Sequence, residues 1–241
     1  MIDTGFHRAR AALLETMATA NIRGAVLTHW HEDHAGNVEL LAHRGIPLLL
    51  RPDTEAILRE RRSIHLYRHL VWGRPPALVS DLERFESDEL RCVPTPGHSE
   101  DHQVVWFPET RTLFSGDLWL GVRSRIMNIA EDPYRTIESL RAVAALEPER
   151  MFDAHRGPVA KPVEALNARA DWLTKTLDAI AERVRAGLGD RSIVRDLLGG
   201  EEAASLVSLG EYSRRNLVRV VRRRLRNNGT TERQNDRVNA D

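Results

Sequence analysis

Thr28-His29-Trp30-His31-Glu32-Asp33-His34 places three imidazoles and a carboxylate within six residues, a spacing that two adjacent metal ions can share. Three more candidates of the right chemical type follow singly: His98 in Pro96-Gly97-His98-Ser99, Asp117 in Ser115-Gly116-Asp117, and His155 in Asp153-Ala154-His155-Arg156-Gly157. A dinuclear zinc, iron or manganese site needs borderline nitrogen donors, some hard oxygens and a carboxylate able to lie between the ions. Asp117 is the natural bridge. Two divalent cations about 3.5–4 Å apart acidify a shared water and polarise the bond under attack, so hydrolysis by such a site needs no side-chain nucleophile.

His29 and His31 stand at i, i+2. A helix would point them apart, whereas a strand end or tight turn can aim both at one centre. Gly24-Ala25-Val26-Leu27-Thr28 reads as a short buried strand. Ala35-Gly36-Asn37 then opens a helix over 37–44 that Gly45 ends. Around this junction strand and helix alternate: a helix over 6–20, a strand at 46–50, and strands at 103–107 and 112–116 joined as a hairpin by Pro108-Glu109-Thr110-Arg111. Asp132-Pro133 supplies an N-cap and first-turn proline for a helix to about Leu146, and 150–154 forms a strand delivering His155.

The ordered set of Asp3 in Ile2-Asp3-Thr4-Gly5, the His29–His34 cluster, His98, Asp117 and His155 resembles the signature of the metallo-β-lactamase-fold superfamily over about residues 1–160. The resemblance implies an α/β fold of the αββα sandwich type. It also implies that His29, His31 and His98 bind one metal, Asp33, His34 and His155 the second, and Asp117 both, with Asp3 supporting the histidine loop without touching metal. The family members it resembles carry several strands before the Asp-Thr-Gly motif, so the expectation is either a start placed too late or an amino-terminally shortened first sheet whose open edge a partner chain covers. Their chemistry implies two divalent ions, zinc first with iron or manganese as alternatives, and a role for Asp33 in relaying the proton of the attacking water.

At 241 residues, 41% hydrophobic and 29% charged, the chain can bury one sizeable core with a small appendage. It contains no apolar run fit to span a bilayer and no cleavable leader pattern, which makes the cytoplasm the default and a membrane role unexpected. The single Cys92 excludes an internal disulfide and reads as a small buried strand residue. His7, His43, His65, His69 and His102 read as solvated or structural.

Residues 55–90 insert between the motifs. Glu55–Arg62 is helical in pattern, and Ile64, Leu66, Tyr67, Leu70, Val71 and Trp72 then supply an apolar stripe read first as packing. The sharper alternative is a lid in which Tyr67, His69 or Trp72 touches substrate. Beyond Gly157-Pro158 the sequence predicts a helical, winged-helix-like domain over 161–226, ending in a helix from about Glu211 to Arg226, and a disordered tail over 227–241. That helical segment resembles one found in a subgroup of hydrolases that includes RNA-cutting members. Its last helix carries Arg214, Arg215, Arg219, Arg222, Arg223, Arg224 and Arg226. The formal net charge is zero, so the rest of the chain is acidic, a poor platform for nucleic acid. The expected activity is metal-dependent hydrolysis of a small ester, thioester or lactone. A single-stranded RNA or phosphodiester nuclease, a mononuclear iron persulfide dioxygenase and an inactive, truncated binding protein stand behind it; homo-oligomerisation is compatible with each.

Overall fold

The computed structural model describes residues 1–60 and 64–238, with side chains through Asn228. A 3-10 turn (His7–Ala9) leads into α1 (Arg10–Thr19), followed by β1 (Ala25–Val26), α2 (Glu32–Ala35), α3 (Val38–His43), β2 (Leu48–Leu49), α4 (Pro52–Arg59) and α5 (Leu66–Trp72). Then come β3 (Arg91–Pro94), β4 (Gln103–Phe107), β5 (Thr112–Phe114), β6 (Met127–Asn128), α6 (Pro133–Ala144), β7 (Arg150–Asp153) and β8 (Gly157–Val159). The chain continues through α7 (Pro162–Arg185), α8 (Asp190–Leu198), α9 (Ala203–Val207), β9 (Tyr212–Ser213) and α10 (Arg215–Val238).

Five strands form the larger sheet in the order β3-β4-β5-β7-β8, with β5 and β7 parallel and the other pairs antiparallel. The β4–β5 hairpin has the expected connection. On α6, Asp132 caps as read, its carboxylate accepting from Tyr134 N and Arg135 N with Pro133 in the first turn, which satisfies donors no helical carbonyl can reach. The smaller sheet is β1 beside β2, in parallel, extended by bridges from Ile2 to Val26 and from Leu48 to Arg84. Its strands are shorter than the apolar runs that encode them. Leu27 N still donates to Leu49 O, but Thr28 N turns away to Asp3 Oδ1.

Two apolar clusters hold these layers. One gathers Leu27, Leu41, Leu48 and their neighbours under the histidine loop. The other joins Leu113 and Met151 of the larger sheet to Leu140, Leu166, Leu173, Leu177, Ile193, Val218 and Val221, each fully buried aliphatic stabilising by about 1.5–3 kcal/mol. The helices beyond residue 160 therefore share the core of the sheet. Pairing of β6 with β9 ties them to it a second time.

Three expectations change. The helix after β9 runs through Val238, past Arg226, so the backbone of 227–238 continues a helix where the polar composition suggested disorder; residues 239–241 lie outside the described residues. Arg61 and Arg62 of the charged helix do as well, and that helix ends at Arg59. On α5 the packed face is inverted: Leu66, Leu70 and Val71 are exposed while Arg68 is buried. Two carboxylates and two indoles surround that guanidinium and outweigh burial of the aliphatics. Cys92 is only half-buried, and burial pushes its thiol up to about 11, as suits an inert strand residue.

Arg214 and Arg222 of the helical segment, with Arg125 ahead of β6, serve as internal caps. Arg214 Nη1 donates to Leu198 O and Gly200 O, Arg125 Nη1 to Leu198 O, and Arg222 Nη2 to Leu188 O, satisfying carbonyls left over where α8 and α7 end. No helix among the described residues is long and apolar enough to cross a membrane.

Candidate metal centre

The histidine loop is built on Asp3. Its carboxylate accepts from Thr28 N at 2.8 Å, Thr28 Oγ1 at 2.9 Å and His34 Nδ1 at 2.8 Å. Asn37 fastens the Asp3 segment from the other side, its Nδ2 donating to the carbonyls of Thr4, Gly5 and Phe6. Gly36 permits this approach, since a Cβ there would stand 2.4 Å from Glu32 O and 2.6 Å from His7 N. With Thr28 donating to Asp3, His29 Nδ1–H finds Thr28 Oγ1 at 3.0 Å, which leaves the Nε2 lone pair facing inward.

His29 and His31 leave the loop ahead of α2, while Asp33 and His34 sit on that one-turn helix. His31 Nδ1 lies 3.0 Å from His29 Nε2 and 2.9 Å from His98 Nε2. The His98 loop is held to the histidine loop by buried Asp101, which accepts from Trp30 N, Thr54 Oγ1 and Ser99 Oγ. A second group forms beside the first: His155 Nε2 is 3.1 Å from Asp117 Oδ1 and 3.6 Å from Asp33 Oδ2, and His34 Nε2 is 3.2 Å from Asp117 Oδ1. Asp153 aims His155, its Oδ1 accepting from His155 N and Arg156 N. All seven predicted ligands thus fall into three overlapping groups, His29/His31/His98, His29/His34/Asp117 and Asp33/His34/His155, each with its donor atoms within 4.8 Å of one another.

These donors fit divalent cations. Three imidazole nitrogens converge at hydrogen-bonding distance with too few protons to link them, and buried His34 Nε2 and Asp117 Oδ1 have no aligned hydrogen-bond partner. The electrostatics agree. Burial, with neighbouring imidazoles, holds His29 and His31 well below the usual histidine range, so their lone pairs are free to coordinate. Burial also acts on His34, but Asp3 and Asp117 outweigh it and raise His34 well above that range. Asp117 is held far below the usual carboxylate range, despite burial, by the imidazoles of His155, His34 and His98 that crowd its carboxylate. This is an anion set among proton-hungry bases, the charge pattern a cation would complete.

His102, read only as solvated or structural, has a definite supporting role. Fully buried, it accepts from Asp117 N through Nε2 at 3.1 Å and presents Nδ1–H to Thr95 Oγ1 at 2.8 Å. Burial lowers it to about 3, so it stays neutral and holds the Asp117 backbone. Gly116 belongs to the same arrangement: at φ +50°, a Cβ would meet His102 Nε2 at 2.8 Å. Nothing in the sequence marks His102 apart from a surface histidine, because its side-chain partners lie in loops that follow other strands.

Of the lid candidates, Trp72 reaches the cleft that opens on Asp33, His34 and His155, a space of about 1310 Å³ walled in part by Phe85, Phe107, Phe114 and Phe152. Tyr67 and His69 do not line it. The Tyr67 hydroxyl is spent on Glu211 Oε2, and His69 faces a separate cavity beside Trp30 and Glu32.

Comparison with known proteins bears on the family and the fold. The family described as the Metallo-beta-lactamase superfamily matches residues 1–155. The "Beta-lactamase-like protein 2 homolog" of Caenorhabditis elegans is 28% identical over 218 residues, covering 86% of this chain and 64% of that protein. An "Atrochrysone carboxyl ACP thioesterase" of Aspergillus fumigatus is 29% identical over 192 residues, 77% of this chain and 41% of its own length. The chain thus spans less than two thirds of either relative. Among solved structures, a metallo-beta-lactamase family protein from Thermus thermophilus superposes with a TM-score of 0.68 at 19% identity, covering 95% of this chain and 84% of that one, a likeness of fold.

Proposed function

Because this chain belongs to the metallo-beta-lactamase superfamily, we propose that it hydrolyses a small ester, thioester or lactone, with Asp117 holding two divalent ions side by side. The observation that carries this reading is the division of the Asp117 carboxylate: Oδ2 faces His98 Nε2 at 3.3 Å, while Oδ1 faces His34 and His155. His29, His31 and His98 would hold one ion and Asp33, His34 and His155 the other. Zinc suits this mixture of imidazole and carboxylate best, and iron or manganese accepts the same donors. Such a pair, when bound, acidifies a water and polarises a carbonyl oxygen.

The chain's own residues supply the rest. Asp33 Oδ2 stands at the rim of the cleft, 3.8 Å from His34 Nε2, where it can take a proton from water and pass it to solvent. Asp3 and Thr28 fix the tautomers of His34 and His29, and His102 fixes the Asp117 backbone. The phenyl walls and Trp72 give an acyl group an apolar surface and exclude water beside the reacting carbonyl. That wall and the thioesterase name of one relative favour the thioester within this substrate class.

Metal analysis and a substrate panel test the reading. Two ions per chain are expected, with turnover of thioesters or lactones and loss of both turnover and metal in Asp117→Ala. One tightly bound iron with oxygen consumption on a persulfide would replace the proposal by the dioxygenase, turnover of phosphodiesters alone by the nuclease, and failure to take up metal by a binding role.

A further inference from the structure

A buried ionic junction links the candidate metal centre to the far end of the chain. Arg68, 4% exposed, donates through Nε to Glu32 Oε2 at 3.1 Å and through Nη1 to Glu211 Oε1 at 2.6 Å. Glu32 directly precedes the ligand Asp33 on α2. The guanidinium also lies 5.8 Å from the ring centre of Trp30, which separates His29 from His31, and 5.3 Å from that of Trp72. Glu211, from the turn ahead of β9, is held by Tyr67 Oη at 2.5 Å and by Asn128 Nδ2 at 3.3 Å.

A second line runs from Glu211 to the other ligand group. Asn128 N donates to Glu131 Oε1 at 3.1 Å, and that oxygen faces His98 Nδ1 at 3.4 Å. The Glu211 carbonyl accepts from Ile129 N and Asn216 Nδ2, both at 2.9 Å, which locks the turn to β6 and to the start of α10. One carboxylate therefore braces α2 through Arg68 and holds the Asn128–Glu131 segment that lies against His98.

We propose that Glu211 is a positioning residue for the metal centre, setting the aim of His98 and of the α2 ligands from the carboxy-terminal segment. The proposal rests on the metal-centre reading above. It gives that segment a task unrelated to nucleic acid: α10 seats Glu211. Groups that orient metal-binding histidines through hydrogen bonds typically change metal affinity about 10–100-fold when removed. Removing one of the two carboxylates that share the buried Arg68 guanidinium leaves part of its charge unpaired.

Cobalt(II) binding by the full chain, read by visible absorption and by competition with a chelator, tests this. Glu211→Gln is expected to bind cobalt about 10–100-fold more weakly and with an altered ligand-field spectrum. Asp190→Asn, which removes a charge partner of Arg215 and Arg222 without touching any contact of Glu211, is expected to lower thermal stability and leave the cobalt spectrum unchanged. A Glu211→Gln protein with wild-type affinity and spectrum overturns the proposal while leaving the metal centre standing. A wild-type chain that takes up no cobalt overturns both. Should Glu211→Gln fail to fold, Tyr67→Phe removes one bond to the same carboxylate and is expected to release cobalt faster; unchanged release refutes the positioning role.

Discussion

Replacing Asp3 by Asn tests the logic of the histidine loop with the smallest change of shape. The carboxylate now accepts from Thr28 and from His34 with both oxygens, and its side chain is 13% exposed. The amide offers one oxygen and one NH2. If the oxygen stays with Thr28 N, the NH2 meets His34 Nδ1 and forces the proton to Nε2, the atom aimed at Asp117. Loss of one charge-assisted bond predicts about 1.5–3 kcal/mol off the stability of the metal-free protein. The wrong His34 tautomer predicts about 10–100-fold weaker binding of the ion held by Asp33, His34 and His155, with the other ion less affected. Urea unfolding in chelator gives the first quantity, and stepwise metal titration separates the two ions. Equal loss of both ions, or full occupancy with unchanged affinity, would refute the tautomer argument.

Stability of the metal-stripped protein should peak near the ordinary histidine range, at about pH 6.5. His29, His31 and His102 are depressed in the fold, so the stability from their neutral forms is complete above the unfolded value and is lost as pH falls below it. His34, His98 and His155 are raised, so their contribution is complete below the unfolded value and is lost as pH climbs toward their folded values. Denaturant midpoints in chelator, taken from mildly acidic to mildly alkaline pH, check this, and a monotonic profile would contradict it. His102→Phe should leave Asp117 N and Thr95 Oγ1 buried without partners, at about 1–3 kcal/mol each, visible as a lower unfolding midpoint and weaker metal retention; a midpoint equal to wild type would count against the support role. Reversing exposed Arg219 and Arg223 to Glu should spare ester or thioester turnover; if those changes created an RNA-cleavage defect, the nuclease reading would move ahead.

The convergence of the seven candidate residues was legible because coordination demands particular residue types, and the i, i+2 histidines exclude a helix whatever surrounds them. Asp132-Pro133 and the β4–β5 hairpin were legible for a similar reason, being settled by contacts among near neighbours. Position within the assembled fold was not. The pattern of Leu66, Leu70 and Val71 predicts a packed face, yet Glu32 and Glu211, 36 and 143 residues from Arg68, decide which side of α5 turns inward. The role of His102 depends likewise on Asp117, 15 residues away. The helices after residue 160 read as an appendage because their burial against the sheet leaves no mark distinguishable from packing among themselves.

Of the 35 basic side chains, only Lys161 and Lys175 are lysines, and the arginine caps described above bind neutral carbonyls at the ends of α7 and α8. Ionic strength screens attraction between separated charges within about 8–10 Å at ordinary buffer concentrations, but it has little hold on a short guanidinium–carbonyl bond shielded by neighbouring helices. The part of the carboxy-terminal docking carried by these caps should therefore tolerate concentrated salt, unlike the ion pairs of Asp190 with Arg215 and Arg222. Activity that fell steeply with added salt would then report on the approach of a charged substrate, and salt becomes a clean variable for separating an acyl substrate from a polyanion.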